Sequence, residues 1–208
     1  MHSEAKEKPG FDRRMTKDEI NELPIRRYEG RIQIIRSKAA LQAALREIQA
    51  ERLLGFDTET KPSFRRGESH PVALMQLATA DCVYLVMLTE LGVPPELVSL
   101  LQNPDIVKAG VGLADDMQKL HERVDFTPRG FVDLSDSAKA HGIKNHGLRG
   151  LTAVLLKFRI SKQAQRSNWG RIRLSDAQVK YAATDAWVSR EIHLAFERMK
   201  REGGAAGD

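Results

Sequence analysis

One stretch constrains this chain more than any other. It is Leu53-Leu54-Gly55-Phe56-Asp57-Thr58-Glu59-Thr60, an apolar run that ends on two carboxylates one residue apart. In a strand, side chains two apart share a face, so Asp57 and Glu59 project together while Phe56 and Thr58 face the other way. Two like charges so placed repel each other. At the end of a buried strand they need positive compensation, and hard carboxylate oxygens with no neighbouring Cys or His suit Mg²⁺ or Mn²⁺. The other reading is that Asp-Thr-Glu-Thr opens a solvated loop after a core strand. The pair alone does not decide between them, because an isolated Asp-x-Glu is common.

The rest of the chain supplies the frame for that strand. A length of 208 residues with 41% hydrophobic content predicts one globular domain with a real core. Residues 1–19 are mostly charged or small, lack a sustained apolar period and read as a flexible tail. The domain is expected over 20–200, with a second flexible tail over 201–208. Arg31 to Ile35 alternates as a short strand, Ser37 can cap the following helix, and Leu41, Ala44, Leu45 and Ile48 recur at helical spacing. After the Asp57 strand, Val72 to Ala78 and Cys82 to Val86 read as a hairpin turning near Ala80-Asp81. Pro95 to Leu101 predicts a helix, Asp105 to Val111 a strand, and Leu113 to Arg123 a helix with Met117 and Leu120 inward. A short strand at Phe131-Val132 and helices over Ser135 to Ala140 and Leu148 to Leu156 follow. Three successive strands before any helix argue against a pure dinucleotide-binding fold, and no Gly-rich phosphate loop follows any strand.

Two further stretches carry carboxylates. Ser175 with Gln178 forms a capping box, and Leu174 with Val179 has the spacing of a hydrophobic staple, so the last helix starts there and is expected to run to about Lys200. On it Tyr181 and Asp185 lie four apart and share a face, among small Ala182, Ala183 and Ala186 that allow close approach to a sheet. Read alone, this pair is better taken as a Tyr at the core edge with a surface Asp below it. In the middle segment, Val107 to Leu120, an apolar strand breaks at glycines and opens a helix with Asp115 and Asp116 in its first turn. Acids there suit the helix dipole whatever else they do. Asp116, four before Leu120, is expected to face inward and Asp115 to face solvent.

Taken together, Asp57-Thr58-Glu59, Gly110-Val111-Gly112 followed by Asp116, and Tyr181-x-x-x-Asp185 resemble the three motifs of the DEDD exonuclease superfamily in its tyrosine-bearing branch. The closer resemblance is to the Werner-syndrome-type 3′–5′ exonuclease domain, with ribonuclease D a further relative. It covers about Glu22 to Arg198 and includes Tyr28-Glu29-Gly30, Ala73-Leu74-Met75-Gln76-Leu77, Lys108 to Gly112, and Ser167-Asn168-Trp169. The resemblance implies a ribonuclease-H-like fold, a mixed β-sheet flanked by α-helices in a single domain. It implies a metal-dependent 3′–5′ exonuclease acting on nucleic acid, DNA by preference. The alternatives are ribonuclease D-like processing of RNA 3′ ends, or a catalytically silent nucleic-acid-binding module. The implied catalytic residues are Asp57, Glu59, Asp116, Tyr181 and Asp185, the four acids holding two Mg²⁺ or Mn²⁺ ions. Thr60 departs from the aromatic residue that Werner-type proteins often carry there, and neither a helicase nor the helical domains of ribonuclease D accompany these motifs.

A formal charge of +5, from 33 Lys and Arg against 28 Asp and Glu, leans toward a polyanionic partner. Thr60, Lys61, Arg65, Arg66, Arg166, Arg171 and Arg173 are candidate contacts to nucleic acid in loops near the motifs, or simply solvated charges. Trp169 either stacks on a base or packs under the last helix. His141 and His146 lack a ligand cluster for zinc. With one cysteine, Cys82, no apolar run long enough for a membrane span and no signal-peptide core, a soluble cytoplasmic protein is expected.

Overall fold

A computed structural model describes residues 8–63 and 68–204. Its elements in chain order are α1 (Lys17–Glu22), β1 (Arg31–Ile35), α2 (Lys38–Ile48), β2 (Leu53–Thr60), β3 (Val72–Ala78), β4 (Cys82–Met87), α3 (Leu88–Leu91), α4 (Pro95–Leu101), β5 (Val107–Gly110), α5 (Leu113–His121), β6 (Phe131–Asp133), α6 (Leu134–Ala140), α7 (Leu148–Leu151) and α8 (Asp176–Gly204). The described strands form one sheet in the order β1-β4-β3-β2-β5-β6. β2–β3 and β3–β4 are antiparallel, while β1–β4, β2–β5 and β5–β6 are parallel. This mixed sheet with helices on both faces is the expected ribonuclease-H-like architecture.

The two faces differ in what they bury. On one, Leu54 and Phe56 of β2 pack with Leu41, Leu45 and Ile48 of α2, with Leu97 and Leu101 of α4, and with Leu113 and Leu120 of α5. The four positions read from the helical period of α2 are all buried, and each large aliphatic among them contributes roughly 1.5–3 kcal/mol. The other face meets α8 through Ala182, Ala183 and Ala186, and α6 and α7 through Leu134, Ala138 and Leu151. Here the approach is so close that a Cβ on Gly55 would lie 1.9 Å from the carbonyl oxygen of Ala186. Glycine in β2 and alanine in α8 are therefore one device. They let a helix backbone lie on a strand backbone.

β5 is anchored by a buried lysine. Lys108 Nζ donates to the carbonyls of Leu100, at 3.3 Å, and Asn103, at 2.6 Å, capping the exit of α4 with positive charge. Burial lowers its pKa to about 8.

Several expectations are corrected. Residues 8–19, read as part of a tail, are docked on the domain. Lys144 N–H donates to Gly10 O at 2.7 Å, and Asn145 accepts from Met15 N–H at 2.9 Å while donating back to its carbonyl at 3.1 Å. A full capping box at Thr16 and Glu19 then starts α1. The hold comes from single hydrogen bonds and isolated apolar residues such as Met15 and Ile20, which leave no period in the sequence. The span Leu148 to Leu156 is not one α-helix: α7 stops at Leu151, and Thr152–Leu156 forms a π-helical turn ending at Lys157 with φ 62°. α8 extends past Lys200 to Gly204, so part of the expected C-terminal tail is helical. No helix among the described residues is long and apolar enough to cross a membrane.

Candidate active site

The site is built where β2 leaves the sheet under α8. Gly55 sets the distance of α8 through Ala186, and the next residue back along that helix is Asp185. The same contact therefore brings Asp185 over Asp57, two residues on in β2. Asp57, Glu59 and Asp185 each offer a carboxylate oxygen, and those oxygens lie within 4.8 Å of one another. Asp185 is 4% exposed, and its Oδ1 has no hydrogen-bond partner. At this separation two full charges repel by about 3 kcal/mol at an effective dielectric constant near 20.

The electrostatics follow. Burial first, and then the charges of Asp185 and Asp116, push the Asp57 carboxyl well above the usual range. Glu59 is raised by burial and by the charge of Asp57. Asp185 is raised by burial, against an opposing hydrogen bond from Tyr181. The Tyr181 hydroxyl, also buried and beside Asp185 and Glu59, stays protonated well beyond its ordinary pKa. Lys162 exerts a modest opposing pull on Asp185, as Lys119 does on Glu59. No ion pair to Asp57, Glu59 or Asp185 is made among the described residues. A cluster of hard oxygens with an orphaned buried acceptor and no ammonium or guanidinium bound to it fits a divalent cation.

Asp116 arrives from the opposite face of the sheet. Thr58, pointing away from Asp57 as strand alternation requires, donates its hydroxyl to Asp116 Oδ1. Burial raises Asp116 to about 6 despite that bond, and it is not one of the three converging carboxylates. Its neighbour Asp115 is exposed. What aims Asp116 is the start of α5, where Gly112 takes φ 72° at the N-cap, a conformation other residues adopt only under strain.

A residue absent from the sequence reading holds that turn. Asp133 Oδ1 and Oδ2 accept from the N–H groups of Gly112, at 3.2 Å, and Leu113, at 2.9 Å, and Oδ1 also accepts from Ser135 N–H at 2.8 Å. Burial works against its charge, but these donors outweigh it and hold the carboxyl below its ordinary range. The available signal was an Asp in cap position just before a helix.

Asp57, Glu59, Asp185 and Tyr181 open into a cleft of about 590 Å³, whose walls come from the 145–150 segment at the start of α7, the 160–165 segment and the docked N-terminal residues. The candidate nucleic-acid contacts among the described residues are not gathered there. Trp169 is fully buried against Ala182 and Ala183 of α8, so it is a packing residue rather than a base platform. Thr60 pairs with Val72 after a bulge in β2, and Arg166 is exposed; neither lines the cleft. Arg65 and Arg66 lie outside the described residues. Among the described residues, the Lys and Arg side chains that line it are Arg14, Lys17, Arg149 and Lys162.

The family of 3′-5′ exonuclease domains matches residues 32–200, and so takes in the sheet, all four acids and Tyr181. The chain belongs to the 3′-5′ exonuclease family. Its relatives in that family include the bifunctional 3′-5′ exonuclease/ATP-dependent helicase WRN of Mus musculus, 35% identical over 147 residues, which are 68% of this chain and 10% of WRN. A 3′-5′ exonuclease of Arabidopsis thaliana is 31% identical over 194 residues, covering 85% of this chain and 67% of that protein. Among solved structures, the Nibbler EXO domain of Aedes aegypti superposes with a TM-score of 0.73 at 25% identity, covering 83% of this chain and 90% of that one. This exonuclease-family chain thus spans a small part of the first relative and about two thirds of the second.

Proposed function

We propose that the chain is a metal-dependent 3′–5′ exonuclease that removes nucleotides one at a time from the 3′ end of nucleic acid, with DNA as the preferred strand. The observation that carries this reading is the convergence of Asp57, Glu59 and Asp185 beside Tyr181 in an open cleft, within a chain of this family. Asp57, Glu59 and Asp185 would hold Mg²⁺ or Mn²⁺, with Asp116 supporting a second ion. When bound, such ions acidify water and stabilise an alkoxide leaving group at neutral pH.

The chain's own groups do the rest. The three carboxylates, crowded and uncompensated, are arranged to take up positive charge. Tyr181, neutral at pH 7, has one hydroxyl that can donate to Asp185 while accepting from the attacking water, so it orients that water without carrying a proton away. Thr58 holds Asp116 in place on the far face of β2.

The test uses single strands and recessed duplexes of DNA and RNA, labelled at either end. A ladder shortening by single nucleotides from the 3′ end, stopped by chelator and restored by Mg²⁺ or Mn²⁺, is expected. Digestion that proceeds unchanged in chelator contradicts the metal-dependent reading, and faster loss of RNA than DNA overturns the strand preference.

A further inference from the structure

We infer that the N-terminal segment, Lys8 to Glu22, is a substrate arm: Arg14 and Lys17 contact the phosphodiester backbone of the strand just 5′ of the bond being cut. The inference rests on the nuclease reading of the site and adds to it a grip that none of the three acidic motifs contains.

Three observations carry it. The first is placement: Arg14 and Lys17 line the same cleft as Asp57, Glu59 and Asp185, and are two of the four Lys and Arg side chains that line it among the described residues. The second is charge. A strand entering this cleft carries a phosphate at every step toward a floor of carboxylates, so the phosphates behind the scissile one need cations from the walls. Both side chains are exposed, and neither forms an ion pair among the described residues, unlike neighbouring Arg13, which is held by both carboxylate oxygens of Glu19. Arg14 is aimed rather than loose, because its Nε donates to Lys144 O at 3.0 Å.

The third is construction. The backbone between them is fastened at Met15 by the paired hydrogen bonds of Asn145, which stands on the adjoining wall segment. Arg149 of that same wall bonds to Asn21 of α1, and its buried Nε is left without a partner in the cleft. The arm and the 145–150 segment therefore form one basic wall, facing the acids across the space a strand must occupy. A single strand held this way is gripped by phosphates, without preference for its bases.

The experiment measures affinity separately from cleavage. A 5′-fluorescein single strand of about 15 nucleotides is titrated with the full chain in chelator at several salt concentrations. Arg14→Ala/Lys17→Ala should weaken binding about five- to tenfold and lower the slope of log affinity against log salt by about 1.4, near 0.7 for each single-strand phosphate no longer neutralised. Arg14→Lys/Lys17→Arg should restore both, and the melting temperature of the double alanine variant should match the parent. Hydrolysis of the thymidine monophosphate p-nitrophenyl ester by the parent, a substrate too short to reach the arm, reports the chemistry separately from the grip. Unchanged affinity and salt slope overturn the arm whatever the activity. A parent that binds through the arm but hydrolyses neither substrate with metal present overturns the nuclease reading instead.

Discussion

The floor of the cleft and its rim are held by different physics. The floor, at the seam of β2 and α8, is fixed by backbone packed on backbone at Gly55 and Ala186, with no room for a methyl group between them. The rim, made by the N-terminal arm and the 145–150 segment, is tied by a few hydrogen bonds from Asn145, Lys144 and Arg149. Charge crowded on the floor has nowhere to relax, so its carboxyls are raised, whereas Arg14 and Lys17 of the rim stand in solvent. A site built this way has rigid acids and a wall that substitution can alter without collapsing them.

The largest effect should come from the floor. Asp57→Ala removes the carboxylate that pairs with both Glu59 and Asp185, and exonuclease activity should fall to background even at high metal. If a labelled strand is still shortened at more than about a hundredth of the parent rate, the floor is not the reaction centre. Gly55→Ala comes next, because the new Cβ meets a helix carbonyl rather than a flexible side chain. Unfolding in urea should show a loss of about 3 kcal/mol or more; a loss under about 1 kcal/mol would mean that α8 does not set the floor.

Tyr181→Phe retains the ring and its packing on Trp169 while deleting the hydroxyl. Turnover should fall about 10²-fold with strand affinity unchanged, and a loss of affinity with normal turnover would remove the water-orienting role. Smaller again is Asp133→Ala, which strips the turn before α5 of its acceptor. A stability loss of about 1–2 kcal/mol and a roughly tenfold lower turnover are expected, the second because Asp116 is aimed by that turn. If turnover is unaffected while stability drops, Asp116 finds its place without Asp133.

The same contrast explains what could be read in advance. Asp57 and Glu59 were legible because strand alternation fixes their side, and Tyr181 with Asp185 because helical spacing fixes theirs. Asp116 was separable from Asp115 by its distance from Leu120. Gly55 could be seen as a glycine but not as the contact that sets α8, since its partner lies far along the chain. The rim was illegible for a similar reason: Asn145 grips backbone atoms of Met15, which have no residue identity to read. Trp169 has no period or motif that distinguishes a core ring from a stacking platform, and only its burial decides. The five-residue π-helical turn after Leu151 follows the same apolar spacing as an ordinary helix, so its altered register leaves no mark.

The central claim is that the floor is a cluster of uncompensated carboxylates suited to a divalent cation, and melting curves with and without metal test it most directly. A carboxyl raised in the folded state contributes stability below its unfolded pKa, near 4, and loses it as pH rises through the folded value. Asp57 and Glu59 are raised in this way, and Asp116 is raised to about 6. The metal-free protein should therefore melt roughly 5 °C lower near pH 7.5 than near pH 5.5, and Mn²⁺ at about a hundredfold its dissociation constant should add about 2.7 kcal/mol. Asp57→Asn removes one of the crowded charges. In chelator near pH 7.5 it should melt above the parent, with a shallower fall toward that pH and little further gain from Mn²⁺. A variant that melts below the parent in chelator, beside a parent that Mn²⁺ leaves unmoved, would contradict the claim.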